Sequence, residues 1–296
     1  MEFTLSLLIP IPIAILGAWL SIILDGVERK IKARIQSRIG PPVTQTLYDL
    51  LKLLEKEVKP IHTMPFVVFH VASSLVTLTA SMYLAHMYTL NSDYQTIVLS
   101  LSLFAISLTT ITLTPLLVPN PFTYTGGMRE VVLALVNEAG FILSFVLTII
   151  SLNTVKTTWY AIIPLVLSTI TLLISGYALT GRAPFDIPEA EPEIASGILL
   201  EFSGKLLAVY LLSNLIKKYT VKLVISSLLL TQILGAGLET LVYSIILTVV
   251  LWILYSTVSV LLGRSRIDIA PKTLGKIYIA LLILSITGLL VITYVG

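Results

Sequence analysis

The chain has 296 residues, of which 56% are hydrophobic and only 12% are charged, and its mean hydropathy is +0.97. This composition is typical of a polytopic membrane protein and excludes an ordinary soluble domain. The formal net charge of +3 is too small to indicate a nucleic-acid partner, and a chain without cysteine cannot bind an iron–sulfur or nickel–iron centre through thiolates.

Apolar windows of about 20 residues match a hydrocarbon core of about 30 Å. The apolar stretch 221–234 is too short to cross comfortably, and we interpret it as an interfacial helix that ends at Gly235. The sequence therefore predicts a single integral membrane domain over 1–296, with a long cytoplasmic loop at 25–65 and an acidic cytoplasmic loop at 181–204. The fold class is all-α, with about eight transmembrane helices near 3–24, 66–89, 96–118, 130–152, 158–180, 202–217, 238–262 and 276–295.

Lysine and arginine are distributed unevenly between the two sides of the membrane. The loops after the first, third, fifth and seventh spans carry 15 of the 19. By the positive-inside rule these loops face the cytoplasm, and both termini lie outside the cell membrane. The sequence has no inverted pair of broken helices, the pattern that many secondary transporters use, which weakens the interpretation as a stand-alone ion carrier.

The first loop is the longest polar segment of the chain. Its first half alternates basic and apolar residues until 40–42, Gly-Pro-Pro, which predicts an extended turn. Leucines at helical spacing over 47–54 then predict an amphipathic helix at the membrane interface. A basic segment attracted to anionic lipid is one interpretation. The acids Glu28 and Asp49 within the basic run argue against a role directed only at lipid.

The stretch 182–204 places several acids and one arginine between two long apolar segments. Ionisable groups at membrane depth are costly, so such a cluster indicates a site. Asp186 also has the form of a helix N-cap, which would be a structural role. Glu189 and Glu193 lie four residues apart, and poor solvation of two like charges would raise the pKa of one of them toward neutrality. Arg182 is the obvious counter-charge.

Glu138 lies in the middle of the fourth predicted span. It follows Arg129 by nine residues, or about 13.5 Å of helix, which places it near the bilayer midplane. It is either a protonated acid bonded to a neighbouring helix or a station on a proton path. For Glu201 and Lys205, four apart, a simple ion pair is an alternative to a role in the path. The three histidines lack metal-site spacing.

Three segments resemble one known family. They are the basic loop at 28–57, Gly127-Met-Arg129 followed by Glu138, and the acidic loop at 181–204. Together they are similar to the subunit 1 family of respiratory complex I, the NADH:quinone oxidoreductase, and to its relatives in membrane-bound nickel–iron hydrogenases. Quinone-dependent members usually read Gln-x-x-Ser-Tyr-Glu at the fourth span, where this chain reads Leu-Ala-Leu-Val-Asn-Glu over 133–138. They also tend to read Glu-Thr-Asn before the arginine, where this chain reads Leu-Thr-Gly over 179–181. These departures favour the hydrogenase-type branch.

The resemblance implies a membrane-anchoring and coupling subunit of a complex I-like redox complex, with no redox centre of its own. Iron–sulfur clusters and a nickel–iron centre are then expected in peripheral iron–sulfur and hydrogenase-large-subunit-like partners. Antiporter-like and small membrane subunits and lipid are further expected partners. The implied proton path comprises Glu138, Asp186, Glu189, Glu191, Glu193, Glu201, Arg182 and Arg129. The implied docking residues are Glu28, Arg29, Arg34, Arg38, Asp49 and Lys52.

Three alternatives stay open from the sequence. One is the quinone-binding membrane subunit of an NADH- or ferredoxin-dependent quinone oxidoreductase. The second is a stand-alone ion carrier, in which the acids would form the substrate site. The third is a purely structural anchor.

Overall fold

The computed structural model describes residues 10–58, 63–155, 158–187, 199 and 201–295. Over these residues it consists of helices and connecting turns without a strand, which confirms the all-α prediction. Short 3-10 turns lie at Thr114–Leu117 and Trp159–Ala161. The α-helices in chain order are α1 (Pro10–Ile35), α2 (Gln45–Glu55), α3 (Met64–Asn91), α4 (Tyr94–Leu113), α5 (Pro121–Val155), α6 (Ile162–Leu179), α7 (Gly204–Leu234), α8 (Leu238–Leu261) and α9 (Ala270–Val295).

Seven of the described helices are long and apolar enough to cross a membrane, namely α1, α3, α4 with its following turn, α5, α6, α8 and α9. Large aliphatic side chains are exposed on their outer faces, such as Leu16 at 63% and Ile163 at 68%. Hydroxyl groups are instead buried between helices. The Ser81 and Ser100 hydroxyls each donate to the other residue's carbonyl, at 2.9 and 2.8 Å. An apolar surface with internally satisfied polar groups is what a bilayer requires, and the chain is a multi-pass membrane protein.

The sixth predicted span and the short interfacial helix form one helix in the structure. α7 runs unbroken from Gly204 to Leu234, so the predicted boundary between 202–217 and 221–234 is wrong. The segment contains no proline or internal glycine that would end a helix, and its basic residues Lys217 and Lys222 are buried. These charges keep α7 out of the seven apolar spans, yet it packs against α1, α2, α3, α4, α6 and α8. α7 is therefore the central helix of the bundle, and it ends at Gly235 as predicted.

α1 continues through residues that we predicted to begin the first loop. It ends at Ile35 and not at 24. Its polar end is held by two acid–base pairs at i,i+4 spacing, which stabilise a helix. Arg29 Nε donates to Asp25 Oδ2 at 3.0 Å, and Lys32 Nζ lies 2.8 Å from Glu28 Oε1. The fall in hydropathy marked the end of the apolar window but not the end of the helix.

The rest of the first loop folds back against α1 and α7. α2 is the predicted amphipathic helix, and its buried Leu50 packs in one cluster with Ile22 and Leu215. The loop then meets the start of α7, where a Cβ on Gly204 would lie 2.3 Å from the Glu57 carbonyl oxygen. Gly204 also has a φ of +53°, so glycine suits both its conformation and its close contact. The two predicted cytoplasmic loops are therefore in direct contact.

Candidate functional site

A buried ion pair joins the first loop motif to the acidic loop motif. Glu28 and Arg182 are 154 positions apart, and Arg182 Nε donates to Glu28 Oε1 at 3.0 Å while Arg182 Nη2 donates to Glu28 Oε2. Both side chains are nearly inaccessible, with 4% and 2% of their surface exposed. Lys32, whose side chain is 37% exposed, is a second cation on the same carboxylate. Arg182 thus holds the acidic loop against α1.

Aromatic side chains of α8 lie next to Arg182 and to Lys222 of α7. The Arg182 Cζ atom lies 5.1 Å from the centre of the Trp252 ring, and Lys222 Nζ lies 4.2 Å from the same centre. Lys222 Nζ is also 5.4 Å from the Tyr255 ring. Such contacts attract a cation to the face of an aromatic ring. Arg182 Nη1 and Trp252 Nε1 are buried, and neither has a hydrogen-bond partner among the described residues.

Asp186 connects the acidic loop to the segment between α8 and α9. Arg264 donates to both of its carboxylate oxygens, at 3.0 and 2.8 Å. The neighbouring Ser265 binds the Pro184 carbonyl through its backbone N–H and its hydroxyl. Asp186 is thus engaged with a partner 78 positions away. The predicted sites Glu189, Glu191 and Glu193 lie outside the described residues, as does the helix that Asp186 was predicted to cap.

A small internal cavity lies among α4, α5, α6 and α7, beside the start of the acidic loop. Its volume is about 50 Å³, and Glu130, Glu138 and Lys217 line it together with Thr112 and Asn137. Lys217 Nζ lies 3.6 Å from Glu130 Oε1. Since a water molecule takes about 30 Å³ in the liquid, one or two waters fit beside these polar side chains. The cavity therefore brings two carboxyls, one ammonium and room for water together inside the bundle.

The cavity wall is fixed from the opposite side by α9. The Tyr278 hydroxyl donates to Asn137 Oδ1 at 3.1 Å. The Tyr278 ring packs where a side chain would otherwise extend from α5, because a Cβ on Gly140 would lie 2.6 Å from it. Asn137 immediately precedes Glu138 on α5, so this contact holds the backbone that carries the carboxyl.

The other predicted path residues lie apart from this cavity wall. Glu201 Oε1 accepts a hydrogen bond from Asn120 Nδ2 at 2.6 Å, which links the start of α7 to the start of α5. Arg129 is half-buried on α5, one position before Glu130.

The predicted docking residues divide into an internal group and a surface group. Glu28 is in the interior, and Arg29 bridges Asp25 and Asp49, each at 3.0 Å, so it fastens α2 to α1. The exposed residues of the set without an ion pair among the described residues are Arg34, Arg38 and Lys52. Arg29 and Asp49 are themselves half-exposed. A partner on this face would therefore meet exposed basic side chains, while Glu28 and Asp49 are engaged within the chain.

Sequence reasoning missed four residues of the site, Glu130, Lys217, Lys222 and Trp252. Glu130 stood next to Arg129, two helical turns before Glu138, and that spacing was a usable signal. Lys217 and Lys222 were not considered for the site, because the sequence prediction placed them in two different segments, 202–217 and 221–234. No local pattern distinguished Trp252 from an ordinary apolar residue of its span.

Histidines do not form a metal site in the described part of the chain. No group of three or more histidine, aspartate or glutamate side chains there is arranged to hold a metal ion. His86 is fully buried, and His70 Nδ1 lies 2.9 Å from the Phe66 carbonyl oxygen on its own helix.

The chain matches the model of the family described as NADH dehydrogenase over residues 7–291. Hydrogenase-4 component C of Escherichia coli (strain K12) is 30% identical over 214 residues, which are 66% of this chain and 66% of that protein. Formate hydrogenlyase subunit 4 of the same organism is 27% identical over 291 residues, or 90% of this chain and 94% of that protein. NADH-ubiquinone oxidoreductase chain 1 of Mycosarcoma maydis is 29% identical over 230 residues, or 70% and 67%. The chain thus spans about two thirds of the length of two of these relatives.

One solved structure has the same fold. A chain of the membrane-bound sulfane sulfur reductase, an archaeal respiratory membrane complex, superposes with a TM-score of 0.71 over 96% of this chain and 100% of that chain. The sequence identity is 23%, so this likeness supports the fold alone. With the family match covering nearly the whole length, the chain belongs to the NADH dehydrogenase family, the family of complex I subunit 1.

Proposed function

We propose that this chain anchors a peripheral hydrogenase-type module in the cell membrane and couples its redox reaction to translocation of protons or sodium ions. Two hydrogenase-type relatives, one of which aligns over 90% of this chain, support this branch. The departures at 133–138 and 179–181 from the quinone-dependent pattern point the same way. Since this chain has no cysteine, the iron–sulfur clusters and the nickel–iron centre would belong to partner subunits.

The proposed partners follow from this placement. A peripheral iron–sulfur protein and a hydrogenase-large-subunit-like protein would cover the basic face at Arg34, Arg38 and Lys52. Antiporter-like and small membrane subunits would pack against the apolar outer faces. The positive-inside rule places the first loop in the cytoplasm and both termini outside.

One observation carries the mechanism: Glu130, Glu138 and Lys217 line one internal cavity beside the acidic loop. A carboxyl next to confined water can bind and release a proton. The Lys217 ammonium lies beside the Glu130 carboxylate. A change of charge in the redox module would act first on the loops joined by Glu28 and Arg182. The altered field would then change the protonation of Glu138 and pass a proton toward the membrane partners.

The remaining proposed path residues supply the entrance. Asp186 and Glu201 lie on the described parts of the acidic loop, and Glu189, Glu191 and Glu193 lie between them in sequence. Arg129 would compensate negative charge at the end of α5 that the positive-inside rule assigns to the cytoplasm. In this proposal the acids collect protons near the redox module, and Glu138 passes them into the bundle.

The test is Glu138→Gln in the assembled complex, reconstituted in vesicles, with ions moved per electron as the measurement. Glutamine keeps the side-chain shape and removes the exchangeable proton, so electron transfer should continue while coupled translocation is abolished. Glu191→Gln should have the same effect. Glu239→Gln, at the exposed start of α8, is the matched control and should leave the ratio unchanged. An unchanged ratio in both Glu138→Gln and Glu191→Gln would refute the proposal.

The quinone-binding membrane subunit of a quinone oxidoreductase is the second candidate, because proteins named for NADH-quinone oxidoreductase align over 72% to 77% of this chain. In that case the purified complex would reduce a water-soluble quinone, and a quinone-site inhibitor would block turnover. Hydrogen evolution that proceeds unchanged in the presence of the inhibitor would support the hydrogenase-type branch instead.

A further inference from the structure

Lys222 is a buried basic side chain that has no role in the coupling proposal above. It lies near the middle of α7 and is 0% exposed. Its Nζ donates to the Lys218 carbonyl oxygen at 2.6 Å and otherwise faces the rings of Trp252 and Tyr255. No carboxylate oxygen of the described residues forms a salt bridge with it. A charge buried in this way is usually paired or neutralised.

The groups that face Lys222 leave it with an excess of positive charge. The Arg182 guanidinium, on the acidic loop, is one cation close to Lys222. Lys218 adds a second cation from the same helix, and Glu28 on α1 is the nearby acid, already bound by Arg182 and Lys32.

Lys222 and Arg182 both contact the ring of Trp252. They lie 4.2 and 5.1 Å from the centre of the Trp252 ring, so their charged groups are at most 9.3 Å apart. In the structure Arg182 binds Glu28. The side chain of Lys222 has a flexible four-carbon stem, so its ammonium group can reach other positions while the backbone of α7 stays in place. If Arg182 moves away from Glu28, the Glu28 carboxylate becomes available to Lys222.

We propose that Lys222 is the alternative counter-ion of Glu28 and exchanges one proton each time Arg182 leaves and returns. With Arg182 on Glu28, Lys222 is a neutral amine. With Arg182 withdrawn, Lys222 takes one proton from the hydrated loop side and its ammonium pairs with the carboxylate. When Arg182 returns, the same proton is released, and no other bond forms or breaks.

Lys222 is well placed to link the two parts of the site. It lies on the same helix as Lys217, five positions further on, and Lys217 is the residue that contacts Glu130 in the cavity. A charge that appears on Lys222 therefore acts through α7 on the cavity that contains Glu138. This role for Lys222 rests on the proposed coupling function and assigns the step between the loop ion pair and the cavity.

The deciding variant is Lys222→Arg in the assembled complex, measured as ions moved per electron in vesicles. Arginine keeps a cation but cannot give up its proton, so we expect electron transfer to continue and the ratio to fall at least tenfold. Lys222→Met, which removes the charge, should lower the ratio similarly. Lys205→Met, at the exposed start of the same helix, should leave it unchanged. A normal ratio in Lys222→Arg overturns the role of Lys222.

A second measurement needs no substitution. The complex containing ¹⁵N-labelled lysine is compared with the unlabelled complex by infrared difference spectroscopy during turnover. We expect a label-sensitive ammonium band that appears and disappears with the redox state. Absence of any such band overturns the role of Lys222 even if the Lys222 variants fail to assemble.

The failures of the two proposals can be told apart. If Glu138→Gln abolishes translocation while Lys222→Arg is normal, only the role of Lys222 is refuted. If neither Glu138→Gln nor Glu191→Gln changes the ratio, the coupling function itself is refuted, and with it the role of Lys222.

Discussion

The buried pair of Glu28 and Arg182 makes a quantitative prediction about stability. Removal of one partner of a buried ion pair typically costs about 3–5 kcal/mol, because the other charge is left unpaired away from water. Glu28→Gln should reach this range, since Arg182 is 2% exposed and Glu28 is its only salt-bridge partner among the described residues. Arg182→Met should cost less, about 2 kcal/mol, because Glu28 retains the half-exposed Lys32 at 2.8 Å.

The double variant separates this explanation from simple loss of packing. If the cost comes from a stranded charge, the combination of Glu28→Gln and Arg182→Met should also cost about 2 kcal/mol. Independent effects would add to about 6 kcal/mol, as expected for distant sites. The measurement is the free energy of unfolding of the full chain in mixed micelles. Lys52→Met, on the exposed face of α2, is the control and should change it by less than about 0.5 kcal/mol. Additivity in the double variant would refute the reasoning.

Two further predictions concern a contact of α9 and a contact of the segment that precedes it. Gly140→Ala should lower the free energy of unfolding by about 1–3 kcal/mol, because the new methyl group would lie 2.6 Å from the Tyr278 ring. Gly263→Ala is the control, because a Cβ at that position would have nothing within 4 Å. Equal stability of the two variants in a thermal melt would contradict the packing argument. Asp186→Asn should lower the free energy of unfolding by less than about 1 kcal/mol, because the side chains of Asp186 and Arg264 are 27% and 40% exposed. Raising the salt concentration to about 1 M should remove most of that loss. A loss above about 2 kcal/mol that persists at high salt would show that this pair is not a surface ion pair.

Much of the fold could be predicted from the sequence, because the bilayer imposes a simple requirement. Windows of about 20 apolar residues located the seven described helices that are long and apolar enough to cross a membrane, and the leucine spacing located α2. The ends of helices were less predictable. The end of α1 was misplaced because hydropathy falls at Asp25, although the acid–base pairs Asp25–Arg29 and Glu28–Lys32 were visible in the sequence as helix-stabilising spacings.

The site was predictable only in part, for a different reason. Residues such as Glu138 and Arg182 stand out because a charge in an apolar segment is costly, whatever it contacts. Their partners follow from packing, which spacing along the chain does not encode. The carboxylate that binds Arg182 lies 154 positions away, and Lys217 reaches the Glu130 cavity only because α7 is a single helix.

The Glu28–Arg182 contact also constrains how this sequence can change over time. Either substitution alone removes one partner of a buried ion pair, so a lineage that altered one position would pass through a weakened intermediate before altering the other. Positions 28 and 182 should therefore be inherited together and, where they differ between relatives, differ in both. The recognisable motifs of the first and acidic loops would then be two halves of one unit of selection.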